Sequence, residues 1–293
     1  PNHLWVNQRD GTFKEEAVLR GLAYNALGVA QANMGVALGD VDGDGLFDLY
    51  VTHLGDEGNV LWSQGPRGSF HDRTARAGLG GSEARTTGFG AVFGDFDQDG
   101  ALDLAFVSGR VSRGRPADDP RLSAFWREYA EPNRLFVNDG TGHFRDASAA
   151  NPDLCGRPGV YRGLAYGVLN DRGALDLLVT EVAGPARLFR NVAPDRGHWL
   201  LVRAVDPALG GRDAYGAEVT VRAGSRRWKR WLNPASSYQC SNDPRAHFGL
   251  GAAATVDEVR VRWSDGSEET FAGGVADCLR AVRKGEGRRD HGE

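Results

Sequence analysis

The sequence predicts an all-β fold: a partial, open β-propeller of about three blades, followed by a small β-sandwich-like domain. Three observations support this prediction. Glycine provides 41 of the 293 residues, about twice its usual share. Apolar segments rich in Val, Leu and Phe alternate with the glycine clusters, and a unit of 55 residues recurs along the chain. Short strands joined by tight turns account for all three observations.

The recurring unit has two parts. The first part, two strands separated by an acidic loop, occupies residues 35–51 and 90–106 and returns with fewer acidic residues at 163–179. The second part is a short strand that leads into a turn. Copies of this second part lie at 59–62, 133–138, 186–191 and, at the start of the chain, 2–7. Each complete unit predicts four short antiparallel strands, which is the size of one propeller blade.

Two of the loops place carboxylates at positions 1, 3, 5 and 9 and glycine at position 6. Carboxylates this close repel one another unless a cation lies among them. A cation that takes six to eight oxygen ligands suits such a loop, which favours calcium over magnesium, and the backbone carbonyl at position 7 is the natural additional ligand. The predicted calcium ligands are Asp40, Asp42, Asp44, Leu46 and Asp48 in the first loop and Asp95, Asp97, Asp99, Ala101 and Asp103 in the second.

Two other interpretations of these loops compete with this one. An EF-hand is excluded, because its loop needs Glu at position 12, where this chain has Val51 and Phe106. The flanking residues also alternate with period two, which predicts strands rather than helices. A solvated acidic turn without metal is the other interpretation, and two loops in the same frame of a repeat favour calcium over it.

The third loop departs from the pattern. Its positions 1, 3, 5 and 9 hold Val168, Asn170, Arg172 and Asp176. One ligand position is apolar and another carries a cation, so we expect two calcium sites in the chain and none in this loop. The Arg172 guanidinium is predicted to supply the positive charge here instead.

The segment 90–104 closely resembles the FG-GAP/VCBS repeats of integrin-α-like β-propellers. The resemblance implies that the calcium ligands of that family correspond to the aspartates of the first two loops. From residue 197 the chain resembles the ASPIC/UnbV domain that ends cartilage-acidic-protein-like chains. The segments that carry this second resemblance are 197–202, 216–221, 237–241, 247–251 and 256–266.

Such relatives build closed propellers of about seven blades, whereas three units are too few to close a ring. The resemblance therefore implies that the chain is the C-terminal part of a longer protein, with further blades N-terminal to it. We expect the blades to span 1–195, the C-terminal β domain to span 196–285, and the polar tail 286–293 to be disordered. Period-two patterns predict strands of the C-terminal domain at 198–205, 218–222, 227–232, 258–263 and 268–271.

Three further features have both a packing and a binding interpretation. For Arg226–Trp231, a strand with one buried Trp and a solvated basic face is favoured over a platform for carbohydrate or anions. His247 is interpreted as a packed histidine bound to a backbone group rather than as a ligand or a catalytic base. The insertion 110–131 is predicted to contain a short amphipathic helix within 122–130 and is a candidate binding surface.

Composition limits the possible partners and compartments. The net charge is −4 and the arginines are scattered among acids, so a nucleic-acid partner is not expected. No apolar run approaches the roughly 20 residues that cross a bilayer, so no membrane span is expected. Of the three cysteines, Cys240 and Cys278 could form one disulfide, but reduced buried thiols are the favoured interpretation.

The predicted function is a calcium-binding, non-catalytic module for protein or glycan binding. It is expected to be extracellular, periplasmic or at the cell surface, since calcium is scarce in the cytosol. The alternative is an enzyme (hydrolase, lyase or cyclase) on the propeller scaffold, with calcium in a structural role. The sequence contains neither a Gly-x-Ser-x-Gly elbow nor a His-Glu-x-x-His motif, which favours the non-catalytic interpretation.

Overall fold

The computed structural model describes residues 1–81, 85–169, 172–182, 184–194 and 196–289. Almost all of its regular structure is β, as the sequence predicts, and the described strands form six sheets. The strands are β1 (Trp5–Asn7), β2 (Phe13–Glu15), β3 (Val36–Gly39), β4 (Asp48–Val51), β5 (Val60–Gln64), β6 (Phe70–Asp72), β7 (Gly88–Gly94), β8 (Asp103–Ser108), β9 (Arg134–Asn138), β10 (Phe144–Asp146), β11 (Tyr161–Val168), β12 (Leu175–Glu181), β13 (Arg187–Phe189), β14 (His198–Asp206), β15 (Arg212–Asp213), β16 (Glu218–Ala223), β17 (Arg226–Trp231), β18 (Ala246–Gly251), β19 (Thr255–Arg262), β20 (Glu268–Val275), β21 (Cys278–Arg283) and β22 (Arg288–Arg289). The helices are α1 (Ala124–Arg127) and α2 (Pro152–Cys155), with 3₁₀ turns at Pro66–Gly68, Ser148–Ala150 and Pro207–Leu209.

The repeats form successive antiparallel sheets. After the hairpin β1–β2, the first blade has the strand order β3-β4-β5-β6 and the second has β7-β8-β9-β10. The third blade has β11-β12-β13 within the described residues. None of these sheets closes on itself, so the blades form the open, propeller-like array that the sequence predicts.

Apolar side chains hold neighbouring blades face to face. Phe93, Leu104 and Phe106 of the second blade are buried in one cluster with Tyr50 and Leu61 of the first blade. The inner strands approach so closely that a Cβ on Gly90 of β7 would lie 2.5 Å from the backbone nitrogen of Leu164 in β11. Glycine is therefore required where these two inner strands meet.

Asparagines at the ends of third strands also link the blades. The buried Asn138 side chain, after β9, donates from Nδ2 to the carbonyl of Val41 in the preceding blade at 2.8 Å and to that of Leu102 at 3.0 Å. Asn191, after β13, donates to the carbonyl of Phe96 in the second blade at 2.7 Å. In the second and third blades, the residue at the end of the third strand is thus hydrogen-bonded to the acidic loop of the blade before it.

The C-terminal domain is a two-layer sandwich. One sheet has the order β15-β14-β18, with β21 parallel to β14, and the other has the order β17-β16-β19-β20-β22. Leu200, Val221, Phe248, Val259 and Trp263 are among the buried residues between the two sheets. All five predicted strands are present. The sequence did not predict β18 and β21, and β18 is buried along nearly all its length, so it lacks the period-two alternation of a half-buried strand.

The chain remains ordered beyond the predicted domain end. A disordered tail was expected from residue 286, but Arg288–Arg289 pair with β20, and residues 290–293 lie outside the described part of the chain. The buried carboxylate of Glu269 accepts the N–H groups of Gly285 and Gly287 at 2.9 and 3.3 Å. This buried acceptor fixes a polar segment whose composition alone indicated disorder.

One segment of the C-terminal domain lies across the inner strands of the blades. Ser237 pairs with Val36 of β3, and its Oγ donates to the carbonyl of Leu164 in β11 at 2.6 Å. The ring of Tyr238 packs edge-on against Phe89 of β7 at 5.0 Å. The segment therefore contacts all three blades at their inner edge.

The remaining expectations concern the insertion, the cysteines and the membrane. The predicted helix within 122–130 exists as the single turn α1, and Leu122 and Ala130 on either side of it are buried with Val160.

Cys155, Cys240 and Cys278 are all free thiols, so the possible disulfide is not formed. In the part of the chain that the structure describes, no helix is long and apolar enough to cross a membrane.

His247 is the packed histidine that the sequence predicts. It is buried in β18, and its Nε2 lies 2.7 Å from the carbonyl of Gly173 in the third blade. Burial lowers the pKa of His247 to about 4, and the nearby Arg230 guanidinium acts in the same direction. The imidazole is therefore neutral in the folded protein at pH 5, where an unfolded histidine is protonated.

Replacing Asn138 by Ala should destabilise the blades by about 2–4 kcal/mol, because the buried carbonyls of Val41 and Leu102 lose their shared donor. Asn191→Ala, at the equivalent half-buried position of the third blade, should lower the free energy of unfolding by a smaller amount. Denaturant unfolding of both variants measures the difference. An Asn138→Ala protein as stable as the wild type would contradict this account of blade packing.

Acid should destabilise the protein through His247. The unfolded state binds a proton below pH about 6.5, whereas the folded state does so only near pH 4. The free energy of unfolding therefore decreases as the pH is lowered through that window. His247→Gln, which keeps a donor for Gly173, should remove about 1–2 kcal/mol of the loss between pH 7 and pH 5. Urea unfolding at both pH values tests this, with the exposed His71→Gln as control. Equal acid sensitivity of His247→Gln and wild type would refute it.

Candidate metal sites

Both acidic loops join the first two strands of a blade. The first loop connects β3 to β4 and the second connects β7 to β8, so strands flank each loop on both sides. The glycines at position 6, Gly45 and Gly100, have φ of 85° and 103°. Only glycine adopts this left-handed conformation freely, which explains the sharp reversal that brings the early carboxylates of each loop together.

The first loop gathers three of its four predicted carboxylates. Oxygens of Asp40, Asp42 and Asp48 lie within 4.8 Å of one another. The exposed Asp44 lies outside this group, and its Oδ1 accepts the N–H of Leu46 at 2.8 Å. Asp42 also pairs with Arg73 at 3.1 Å.

The second loop gathers the carboxylates of positions 1, 3 and 5. Oxygens of Asp95, Asp97 and Asp99 lie within 4.8 Å of one another. The Asp99 side chain accepts the N–H of Ala101 at 2.7 Å, as Asp44 does for Leu46 in the first loop. The two loops therefore share the turn that leads to position 7, where the predicted carbonyl ligands lie.

The position-9 aspartates connect the loops to the rest of their blades. Asp103 accepts the N–H groups of Phe96 and Asn138, each at 3.0 Å. Asp48 accepts those of Val41 and Gln64 at 3.1 and 2.9 Å. Each buried carboxylate thus ties the start of its loop to the third strand of the same blade. Their role as calcium ligands stays a prediction.

Burial makes the negative charge of these loops costly. It raises the pKa of Asp48 to about 6, that of Asp95 to about 7 and that of Asp103 to about 8. The pKa values of Asp40 and Asp97 are raised too, again chiefly by burial. Carboxylates in such surroundings either take up protons or bind a cation.

The hydrogen bonding of Asp95 indicates whether a cation fits the second loop. Asp95 is fully buried, and its Oδ1 has no hydrogen-bond partner among the described residues, whereas its Oδ2 accepts the N–H of Gly100 at 3.0 Å. An unpaired buried carboxylate oxygen is rare because it loses its hydration without compensation. A hard cation bound by oxygen ligands would satisfy it, so the donor set fits calcium.

One cation beside both loops was not predicted from the sequence. Arg230 of β17 lowers the pKa values of Asp95 and Asp40 electrostatically, opposing the effect of burial. On the same strand, Lys229 Nζ donates to the carbonyl of Gly45 at 3.3 Å. Trp228 is buried, as predicted, but the basic residues of this strand contact the acidic loops rather than water alone. The one sequence feature that could have indicated this contact is the alternation of basic residues with Trp in the strand.

The third loop lies partly outside the described residues, since Asn170 is not described. Its position-9 residue, Asp176, accepts the N–H of Asn191 at 2.8 Å, which is the contact that Asp103 makes with Asn138. The loop thus keeps the structural role of position 9. The absence of calcium there, and the role of Arg172, stay predictions.

A small cavity lies where the blades meet the C-terminal domain. Asp95, Tyr166, Arg230 and His247 line it, and its volume is about 50 Å³. Buried atoms of three of these side chains have no hydrogen-bond partner among the described residues: Asp95 Oδ1, Arg230 Nη2 and His247 Nδ1. The space suits a few water molecules and is too small for an organic substrate.

Comparison with known proteins agrees with this architecture. Residues 40–106, which include both acidic loops, match the FG-GAP-like repeat, and residues 209–289 match the family described as ASPIC and UnbV. Cartilage acidic protein 1 of Xenopus tropicalis is 29% identical over 274 residues, which is 91% of this chain and 38% of the relative. The human protein of the same name is 28% identical, over 91% of this chain and 37% of its own length.

The chain thus spans less than two-fifths of the length of the curated relatives it matches. The FG-GAP-like match runs from the first acidic loop into β8, the second strand of the second blade, and the ASPIC and UnbV match covers most of the C-terminal sandwich. The chain is therefore similar to the FG-GAP-like repeat over residues 40–106, to the ASPIC and UnbV family over residues 209–289, and to cartilage acidic protein 1 over most of its own length.

Proposed function

We propose that this chain is a calcium-binding, non-catalytic module that supports binding of a protein or glycan outside the cytosol. The observation that supports the proposal most directly is the second loop. Oxygens of three carboxylates lie within 4.8 Å of one another there, and one of these carboxylates is fully buried with an oxygen that has no hydrogen-bond partner in the described part of the chain. The first loop repeats the three-carboxylate arrangement in the preceding blade.

Calcium would supply the positive charge that lets these carboxylates stay ionised while buried. The residues of the chain set the position of that charge. Gly45 and Gly100 reverse the loops, and Asp48 and Asp103 anchor them to the neighbouring strand through backbone N–H groups. The metal is therefore proposed to be structural: it would rigidify the blade loops and leave the rest of the surface for a partner.

The proposed location follows from calcium supply. Extracellular calcium modules commonly bind with Kd of about 10⁻⁴ to 10⁻³ M. The calcium concentration of the cytosol is too low to occupy sites with such Kd values. The similarity to proteins named for cartilage agrees with an extracellular or cell-surface setting, and a periplasmic setting satisfies the same condition.

The insertion between β8 and β9 is the proposed partner surface. The rings of Phe125, Trp126 and Tyr129 lie 4.8 to 6.0 Å apart, and Phe125 is 54% exposed. Arg113 and Glu128 form an ion pair at 3.1 Å at the edge of this aromatic group. The rings of Trp126 and Tyr129 are half-buried, and an exposed ring supported in this way, with a polar rim, suits both protein side chains and sugar rings.

Calcium added to chelator-treated protein should bind at two sites and raise the melting temperature. At 100 times Kd, one site stabilises the folded state by about 2.7 kcal/mol, because the unfolded chain lacks the loop geometry. Isothermal titration and thermal unfolding, run in parallel on the same samples, measure both effects. Magnesium at equal concentration should stabilise less, since it prefers fewer and more regularly placed ligands.

Asp40→Asn and Asp95→Asn should each remove one of the two sites, and the double variant should remove both. Asp118→Asn, which makes the same charge change at an exposed position of the insertion, is the matched control and should keep two sites. A wild-type protein that binds no calcium, or whose melting temperature is the same in chelator and in calcium, would overturn the proposal.

A further inference from the structure

The C-terminal domain contacts the two acidic loops very unequally. Three successive carbonyl groups of the second loop, those of Asp97, Gln98 and Asp99, accept hydrogen bonds from this domain. The donors are the N–H of Gly197 at 3.3 Å, the N–H of Gly251 at 2.9 Å and the Nη2 of Arg226 at 2.9 Å. Among the residues that the structure describes, the first loop accepts one such bond, from Lys229 Nζ to the carbonyl of Gly45 at 3.3 Å.

Packing at the glycines shows the same asymmetry. Gly249 packs so closely on the second loop that a Cβ there would lie 2.0 Å from Oδ2 of Asp95. A Cβ on Gly100 would lie 2.6 Å from Nε1 of Trp228, whereas the equivalent Gly45 has open space around it. At these glycines the second loop is therefore packed against the sandwich, whereas the first loop faces it across a gap. The first loop contacts the sandwich farther along, where the ring of Phe47 lies 6.4 Å from that of Trp231.

The second loop is also bonded to the third blade. Gln98, at loop position 4, is buried, and its Nε2 donates to the carbonyl of Gly173 at 2.9 Å. The same carbonyl lies 2.7 Å from Nε2 of His247, which belongs to the C-terminal domain. The second loop thus lies at the point where the second blade, the third blade and the sandwich meet.

We propose that the second acidic loop is the docking surface for the C-terminal domain, and that calcium in this loop, rather than in the first, holds the sandwich on the blades. The proposal rests on the calcium function argued above. The row of three carbonyls fits its three donors only when the loop backbone is ordered. Calcium and the C-terminal domain each order the same backbone, so each lowers the entropic cost of binding the other. Such coupling is reciprocal: the domain must strengthen calcium binding as calcium strengthens docking.

Amide hydrogen exchange of the full chain tests the first half of this coupling. The N–H groups of Gly197 and Gly251 exchange only when they leave the loop carbonyls. Calcium should slow their exchange in the wild type by about tenfold or more, a typical coupling between two ligands. Asp99→Asn removes a charge from the second loop and keeps an oxygen to accept the N–H of Ala101. It should abolish the effect of calcium on these two amides.

Asp44→Asn is the matched control, because Asp44 makes the equivalent bond to Leu46 in the first loop. It should leave the calcium effect on Gly197 and Gly251 intact. Equal slowing of these amides in Asp99→Asn and Asp44→Asn would overturn the inference. So would two calcium sites by titration without any slowing in the wild type, which leaves the calcium function standing. No calcium binding in the wild type would remove the calcium function and the inference with it.

The second half of the coupling is tested without altering a loop residue. Arg226→Ala removes one donor to the second loop and should weaken calcium binding at one of the two sites on the order of fivefold. Lys229→Ala removes the contact with the first loop, and it should leave the calcium affinity of the site in the second loop unchanged. Calcium titration of both variants is the measurement. Two unchanged sites in Arg226→Ala would contradict the proposal.

Discussion

Buried negative charge is the constraint on which the other features of this protein depend. Asp48, Asp95 and Asp103 are at most 1% exposed, and burial raises the pKa of each to about 6, 7 and 8 respectively. An isolated carboxylate in such surroundings would be neutral. The chain compensates in three ways: backbone N–H groups point at the position-9 aspartates, Arg230 lies near both loops, and a calcium ion is proposed in each. The same loops make the hydrogen bonds that join neighbouring blades and those that join the blades to the C-terminal domain.

The repeat explains how the same compensation recurs. In the second blade, Asn138 donates its backbone N–H to Asp103 and its side chain to the loop of the first blade. In the third blade, Asn191 makes the same pair of contacts, to Asp176 and to the second loop. The third loop has lost most of its acidic residues yet keeps this pair. Position 9 is therefore retained for a structural reason that does not depend on metal.

The sequence was sufficient for features that depend on local pattern. The blades, the two acidic loops and five strands of the sandwich follow from period-two alternation and from a repeat of 55 residues. Contacts between distant segments were not predictable. Arg226 bonds to a loop 127 residues away, and Ser237 lies across strands of blades that precede it by 73 residues or more. Local composition indicated a solvated basic strand for the first and gave no role for the second. The pairing of Arg288–Arg289 with β20 was missed for the same reason, because the Glu269 carboxylate that binds the preceding residues is buried on another strand.

The most direct test of the account is anomalous X-ray scattering from crystals grown with calcium. The account predicts two anomalous peaks, one among Asp40, Asp42 and Asp48 and one among Asp95, Asp97 and Asp99, with an oxygen coordination of six to eight. It predicts no peak beside Asp176. Loops that remain without a peak at millimolar calcium, with the carboxylates protonated or bridged by water instead, would contradict it.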